Sequence, residues 1–235
     1  MYAVPHSPNC LLASLPVADF ELFRPHLETI ELIQANVLVA AGDRLTRVFF
    51  PHSGVISLVV SLVDGTMVEV AMIGRHSIFG AFAALDGNIS LTDAVVQLPG
   101  FASTLAVDRL RIAAEQSAVF RTTLIRHEQA LFAQAQQSAA CNASHPVEAR
   151  LARLLLRIHD QAGVVILPLT QDFLAQMIGV KRNSVSTVAH ILQERGIIKY
   201  ARGHIEITDL EALKNASCEC YKAVNSQYDR LLNHR

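Results

Sequence analysis

The spacing of four small or β-branched residues limits the possible folds of this chain more than any other feature of its sequence. Ala175 is followed by Gly179 four positions later, then by Val185 and Val188. The small Ala175 lets a second helix cross closely, and glycine readily adopts the left-handed backbone that a tight interhelical turn needs. The two valines hold the second helix against the first, whose N-terminus Thr170 can cap. This spacing predicts a helix-turn-helix.

The second predicted helix carries polar side chains at its N-terminal end, as the segment GVKRNSVST shows. A helix tip of this kind enters the major groove of DNA, where arginine and asparagine match base edges and other donors hold phosphates. We therefore expect base reading by Arg182, Asn183, Ser186 and Thr187. Contacts to the DNA backbone are expected from Thr170, Gln171, Lys181, Ser184, Lys199 and Arg202.

A predicted β-hairpin follows the second helix. Gly196 ends the helix, and residues 197–201 and 204–207 alternate around Arg202-Gly203. A hairpin in this position is typical of a winged helix, whose wing touches the flanking DNA backbone. The formal net charge of −1 means that the basic surface for DNA is local. The alternative is a ligand-binding module whose winged helix contacts proteins.

The chain lacks the sequence motifs of common enzymes and of membrane insertion. We find no GxGxxG, P-loop, HExxH or GxSxG pattern, so we predict that the protein is not an enzyme. No apolar run reaches the roughly 18 residues that a membrane span needs, and the start of the chain lacks the pattern of a secretory signal. A cytoplasmic protein without membrane contact is expected.

Residues 36–108 have the texture of short strands separated by turns. Two β-branched runs, 55–60 and 67–72, flank Asp64-Gly65, which predicts a hairpin. Short strands at this spacing indicate a sandwich or a small barrel.

After Val107 the sequence pattern becomes helical. One set of residues recurs with heptad spacing: Phe120, Leu124, His127, Leu131, Gln134, Ser138 and Cys141. This helix either packs on its own barrel or pairs with its twin across a dimer axis.

The cysteines predict neither a disulfide framework nor a metal site. Cys218 and Cys220 form one close pair, which can chelate or oxidise, but a second pair does not lie near them in the sequence. We expect reduced, structural cysteines.

The segment TQDFLAQMIGVKRNSVSTVAHILQERG resembles the cyclic AMP receptor protein and fumarate-nitrate regulator (Crp/Fnr) family, and the likeness extends more loosely over the whole chain. The resemblance implies an α+β protein with a cyclic-nucleotide-binding-like jelly-roll β-barrel over 1–117, a long dimerisation helix over 118–144 and a winged helix-turn-helix over 145–235. It implies a homodimeric transcription regulator that reads a near-palindromic operator. RNA polymerase is a further expected partner. The dimer contacts are assigned to Phe120, Leu124, His127 and Leu131.

The sequence departs from the family at the cyclic-nucleotide site. The resemblance places an effector pocket at Gly80, Ala81, Thr92 and Asp93, where Ala81 replaces the family's acid and Thr92 replaces its arginine. A buried phosphate without an arginine is costly, and Asp93 would repel it. Cyclic AMP is therefore not expected to bind in the usual mode, and the effector is unknown. In the second helix, Asn183 and Thr187 also replace family residues, so a different half-site is expected.

The resemblance also raises two cofactors that other members of the family use. Iron-sulfur members hold their cluster with several N-terminal cysteines, and this chain has only Cys10 there, so no such cluster is expected. Haem-sensing members use histidine or cysteine ligands, for which His52, His76 and His127 are candidates. Isolated histidines are usually structural, so a haem is not supported.

Overall fold

The computed structural model describes residues 7–201 and 203–232 and shows the expected α+β organisation. The helices are α1 Cys10–Ala13, α2 Val17–Glu21, α3 Val107–Gln116, α4 Ala118–Ser144, α5 Val147–Ala162, α6 Gln171–Met177, α7 Arg182–Glu194, α8 Leu210–Ala216 and α9 Cys220–Leu232; 3-10 turns span Arg24–His26 and Ala81–Leu85. The strands are β1 Glu28–Leu32, β2 Val37–Val39, β3 Arg47–Pro51, β4 Val55–Ser61, β5 Met67–Ile73, β6 Asp93–Leu98, β7 Gly100–Ala106, β8 Ile166–Leu167, β9 Ile198–Ala201 and β10 His204–Ile207.

The N-terminal strands form two antiparallel sheets with the strand orders β1-β7-β3 and β2-β6-β4-β5. The predicted hairpin is confirmed: β4 pairs with β5, and Gly65 adopts a φ of +82° in the turn. The side chains of Phe50, Ile56 and Leu105 are fully buried in the core of this β-roll. Burial of these large apolar side chains is the main force that holds the roll together.

The heptad face of α4 packs on its own subunit, which corrects the sequence-based assignment of the dimer contacts. Phe120, Leu124 and His127 are fully buried within the single chain, and Leu131 packs against the core of the roll. His127 Nε2 accepts a hydrogen bond from the backbone N–H of Ile78 at 3.3 Å. Fully buried side chains have no surface left for a partner subunit. This face of α4 therefore packs on its own β-roll and does not pair with a second copy of the helix.

The opposite face of α4 carries a second heptad pattern, and every member of it is exposed. We call this set the α4 seam; its residues are Ala118, Thr122, Ile125, Gln129, Phe132, Gln136, Ala139 and Ala143. The spacing alternates between four and three residues throughout, which is the pattern of helices that pair side by side. The Phe132 side chain is 65% exposed. This frame is harder to recognise in the sequence because it holds fewer large apolar residues.

The C-terminal region rests on the outer face of the sheet that contains β4 and β5. Val59 and Met72 of those strands share one apolar cluster with Leu155 of α5 and Leu174 of α6. Val68 of β5 lies against the turn at Gly179, where an added Cβ would stand 3.0 Å from the Val68 Cγ2. The roll and the C-terminal region are therefore in direct contact.

One face of α5 places three arginines at this contact. Arg150, Arg153 and Arg157 are all buried. Arg150 donates a hydrogen bond to the carbonyl of Ile178, at the end of α6. The positive charges of Arg153 and Arg157 act on the carboxyl group of Glu69 in β5, and burial raises the pKa of that group.

Among the described residues, no helix is both long and apolar enough to cross a membrane.

Candidate nucleic-acid interface

The predicted helix-turn-helix is present as α6, a turn and α7. The Thr170 hydroxyl caps α6 by accepting a hydrogen bond from the Phe173 N–H at 3.2 Å, as expected from the sequence. Gly179 has a φ of +61°, the left-handed conformation that reverses the chain between the helices. Ala175 is 4% exposed, which leaves room for α7 to cross close to it. The local sequence thus sets the geometry of the motif.

The inner face of α7 fixes the helix to the rest of the domain. Val185 and Leu192 are fully buried, and Val188 and Ala189 are nearly so. These side chains recur at helical spacing, so the face opposite to them must point outward. The N-terminal end of α7 is thereby presented at the surface on a rigid support.

The outer face of α7 carries the side chains that were expected to meet DNA. Lys181, Arg182, Asn183 and Thr187 are exposed. No side chain caps the N-terminus of α7 at Lys181, so its first backbone N–H groups are available for an anion. The Arg182 Nε lies 3.4 Å from Asp172 Oδ1 of α6, in an ion pair whose two side chains are each 63% exposed. An exposed pair of this kind is weak and can open when a ligand approaches.

Two of the expected contact residues are held more closely by the protein itself. Ser184 and Ser186 are half-buried, and the Ser186 hydroxyl donates a hydrogen bond to Gln171 Oε1. The Thr187 hydroxyl is exposed but donates to the carbonyl of Asn183 at 3.0 Å. Base reading by Ser186 would require its bond to Gln171 to break, which makes Arg182 and Asn183 the more accessible pair.

The wing follows directly after α7. β9 and β10 form the predicted hairpin, and β8 adds a third strand beside β10. Gly196, with a φ of +72°, ends α7 before the hairpin begins. Lys199 of β9 is exposed on the wing. Arg202, which was also expected to touch the DNA backbone, lies outside the described residues.

The roll contains a cavity of about 600 Å³ between β4, the segment 79–92 and α4. Gly80 and Thr92, two of the four expected pocket residues, line it. The others are placed differently: Ala81 is fully buried, and Asp93 accepts hydrogen bonds from the Ala41 N–H and the Ser61 hydroxyl. The full lining is Leu58, Phe79, Gly80, Phe82, Asp86, Gly87, Asn88, Ile89, Ser90, Leu91, Thr92, Glu128 and Leu131.

The charge of this cavity does not suit a phosphate. Within the described part of the chain, none of its lining residues is basic, whereas Asp86 and Glu128 are acidic. Glu128 Oε1 is buried without a hydrogen-bond partner among the described residues, and it lies 3.9 Å from His127 Nδ1. An acidic lining of this kind favours a ligand that brings a donor group over one that brings an anion. The lining is otherwise mostly apolar.

Comparison with known proteins identifies the C-terminal region. Residues 149–216 match the family model of the Crp-like helix-turn-helix domain. The global nitrogen regulator of Nostoc sp. is 24% identical over 194 residues, which cover 79% of this chain and 86% of the relative. These matches identify residues 149–216 as a Crp-like helix-turn-helix domain and show that most of the chain is similar to a known regulator.

Solved structures share the fold of about four fifths of the chain. FixK2 from Bradyrhizobium japonicum has a TM-score of 0.71 at 15% identity, covering 82% of this chain and 98% of its own. A CRP-family transcriptional regulator from Thermus thermophilus has a TM-score of 0.66 at 20% identity, covering 80% and 96%. The chain therefore shares the fold of these structures, as the resemblance implied, and its residues 149–216 match the Crp-like helix-turn-helix domain.

Proposed function

We propose that the protein is a homodimer that binds a near-palindromic operator by inserting the N-terminal end of α7 into the major groove, one copy per half-site. The observation that carries this proposal is the exposure of Lys181, Arg182 and Asn183 at the uncapped end of a helix whose other face is buried. Arg182 suits the paired acceptors of guanine, and Asn183 suits those of adenine. Lys181 and Lys199 contact phosphates.

Dimerisation through the α4 seam supplies the second recognition helix. The seam runs along the whole exposed side of a 27-residue helix, and Ile125 and Phe132 are its large apolar members. Pairing two such helices buries these side chains and sets the separation of the two α7 helices. Adjacent half-sites on DNA lie about one turn apart, roughly 34 Å. A contact with RNA polymerase stays a prediction.

The cavity in the roll receives an effector that is largely apolar and carries a hydrogen-bond donor. Leu131 and Glu128 of α4 line this cavity, so its occupant touches the helix that also carries the seam. Cyclic AMP does not fit, because its phosphate would meet acidic and apolar groups. Mass spectrometry of the denatured protein would identify a copurifying molecule, and added cyclic AMP should leave the melting temperature unchanged.

DNA binding is tested by selecting duplexes from a random pool with the purified protein and measuring their affinity by fluorescence anisotropy. The double variant Lys181→Ala/Arg182→Ala should lose at least about tenfold in affinity. The matched control, Arg24→Ala/Arg47→Ala, removes the same charge from the β-roll and should bind like the wild type. If the first variant binds as tightly as the control, the groove assignment is wrong. If no duplex is selected at all, the alternative of a winged helix for protein contacts is favoured.

A further inference from the structure

The end of α4 and the connection between α8 and α9 bring together three cysteines and a histidine that are far apart in the sequence. The Sγ atoms of Cys141 and Cys218 are 3.5 Å apart. The Cys220 Sγ is 3.6 Å from His145 Nδ1. The four potential ligand atoms all lie within 4.8 Å of one another, and the three cysteines are buried. Cys141 and His145, at the C-terminal end of α4, thus lie beside the Cys218 and Cys220 pair.

From this geometry we propose that Cys141, His145, Cys218 and Cys220 bind a single Zn²⁺ ion or a similar soft divalent metal ion. A tetrahedral zinc site with Zn–S bonds of about 2.3 Å places its sulfur ligands about 3.8 Å apart, close to the separations seen here. Iron-sulfur clusters need wider spacing, since the cluster itself stands between the cysteines. A disulfide needs an S–S distance of about 2.05 Å, whereas the sulfurs of Cys141 and Cys218 are 3.5 Å apart and the cysteines are free.

The surroundings of the four ligands also suit a metal ion. The other ring nitrogen of the histidine, His145 Nε2, lies 3.2 Å from Glu219 Oε1. A carboxylate in this position orients a metal-binding imidazole and leaves the facing nitrogen free as a ligand. Gln137 Nε2 donates to the Cys220 Sγ at 3.0 Å. A bond to sulfur of this kind stabilises a thiolate.

The charge of the loaded site is balanced from α5. Binding of one divalent ion to three cysteines releases three protons to solvent and leaves one net negative charge with a neutral histidine. The buried Arg150 interacts electrostatically with Cys141 and Cys218, and Arg153 interacts with Cys141. The Nε atoms of both arginines are buried without hydrogen-bond partners among the described residues. Their positive charges stabilise the anionic metal site.

Burial raises the pKa of Cys141 to about 12, and it raises the pKa of Cys218 as well. A coordinating metal ion deprotonates such thiols outright. The site would join the C-terminal end of α4 to the start of α9, beside the His145-Pro146 link where α5 begins. It would therefore fix where the winged helix leaves the long helix.

The test titrates the reduced, chelator-treated full chain with Co²⁺, whose thiolate complexes absorb in the near ultraviolet and visible. We expect one Co²⁺ per chain, displacement by one Zn²⁺, and a higher melting temperature with Zn²⁺. Cys218→Ser should weaken binding more than about 100-fold. The matched control is Cys10→Ser, which removes a cysteine outside the cluster and should bind like the wild type.

Two results would overturn the proposal: no stoichiometric Co²⁺ binding by the fully reduced protein, or equal binding by Cys218→Ser and Cys10→Ser. Circular dichroism establishes whether Cys218→Ser is folded. If it is not, His145→Ala decides, because this half-buried histidine can be removed without emptying a core position. That variant should bind Co²⁺ more weakly and with a changed visible spectrum. Since the titration contains no DNA, its outcome is independent of operator binding.

Discussion

The ring of Phe120 stacks on that of Phe23, with centroids 4.8 Å apart and an angle of 23° between the planes. This contact ties the first turns of α4 to the N-terminal segment of the same subunit. The side of α4 that carries Phe120 is consequently committed to its own chain. Any pairing with a second copy must use the opposite side, where the α4 seam lies.

Phe132→Glu should convert the dimer into a monomer, because it places a charge in the middle of the seam without touching the core. Sedimentation equilibrium at micromolar concentration measures the change. Val63→Glu is the control, since Val63 is fully exposed in the turn between β4 and β5 and lies away from the seam. A Phe132→Glu variant that sediments as the wild type does would rule out the seam as the dimer interface.

The affinity for operator DNA should fall steeply with salt, and Lys181→Ala should make this dependence shallower. Each phosphate contact contributes about −0.9 to the slope of log K against log salt. A dimer that loses Lys181 from both subunits loses two contacts, so the slope should become less negative by about 1.8. Anisotropy titrations at four salt concentrations measure it. An unchanged slope means that Lys181 does not contact a phosphate; Arg24→Ala should leave it unchanged in any case.

Gly179→Ala should destabilise the protein more than Gly196→Ala does. Both glycines have positive φ, which costs other residues about 1–2 kcal/mol. A Cβ at position 179 also stands 3.0 Å from Val68 Cγ2, whereas one at position 196 meets nothing within 4 Å. Urea unfolding of both variants separates the contact from the backbone strain. Equal losses of unfolding free energy in the two variants would show that a Cβ at position 179 does not press on β5. Adding Val68→Ala to Gly179→Ala should remove the extra loss that the contact causes.

The stability of the protein should depend on Glu69 at mildly acidic pH. Burial is the main cause that raises the pKa of Glu69 above its ordinary 4.5, while the Ser57 hydroxyl and Arg157 oppose the shift. The native state therefore holds this proton more tightly than the unfolded chain does. The resulting stabilisation is complete below pH 4.5 and is lost as the pH rises through the native pKa.

Glu69→Gln removes this titration. As the pH rises above 4.5, the unfolding free energy of the wild type should therefore fall relative to that of the variant. Chemical unfolding at several pH values measures this difference. A constant difference between wild type and Glu69→Gln would mean that the carboxyl group of Glu69 is solvated in the folded protein.

Glu219→Gln should lower the affinity for Co²⁺ by about 10- to 100-fold, the usual cost of losing a partner of a metal-bound histidine. Competition with a chromophoric chelator measures the affinity. Glu211→Gln, whose carboxylate pairs with Lys214 on α8, is the matched control. Identical affinities for the two variants would show that Glu219 does not orient His145.

The helix-turn-helix was predictable because its determinants are local. A small residue at 175, a glycine at 179 and a cap at 170 specify helix crossing, turn and start without reference to the rest of the chain. The role of each α4 face was not predictable in this way. Two heptad frames overlap in the same helix, and the one with more large apolar side chains fills the subunit's own core.

The metal-ligand cluster required long-range information. Cys141 and Cys218 are 77 positions apart, and only the packing of α9 along α4 places them side by side. The Cys218-Cys220 pair was visible in the sequence, but its spacing alone is a weak signal. The cavity in the roll was expected at Gly80 and Thr92, whereas its contribution from α4 depends on how the helix crosses the sheet.

The side chains of His145 and Cys218 lie in the same cluster, so the 72 residues between them form a loop of chain whose two ends meet. This loop contains the helix-turn-helix and the wing. The same residues also pack on β4 and β5, so their position is set both by that apolar contact and by the place where the loop of chain closes. A metal ion at the closure would fix both ends of the loop together and so limit how far the tip of α7 can shift relative to α4.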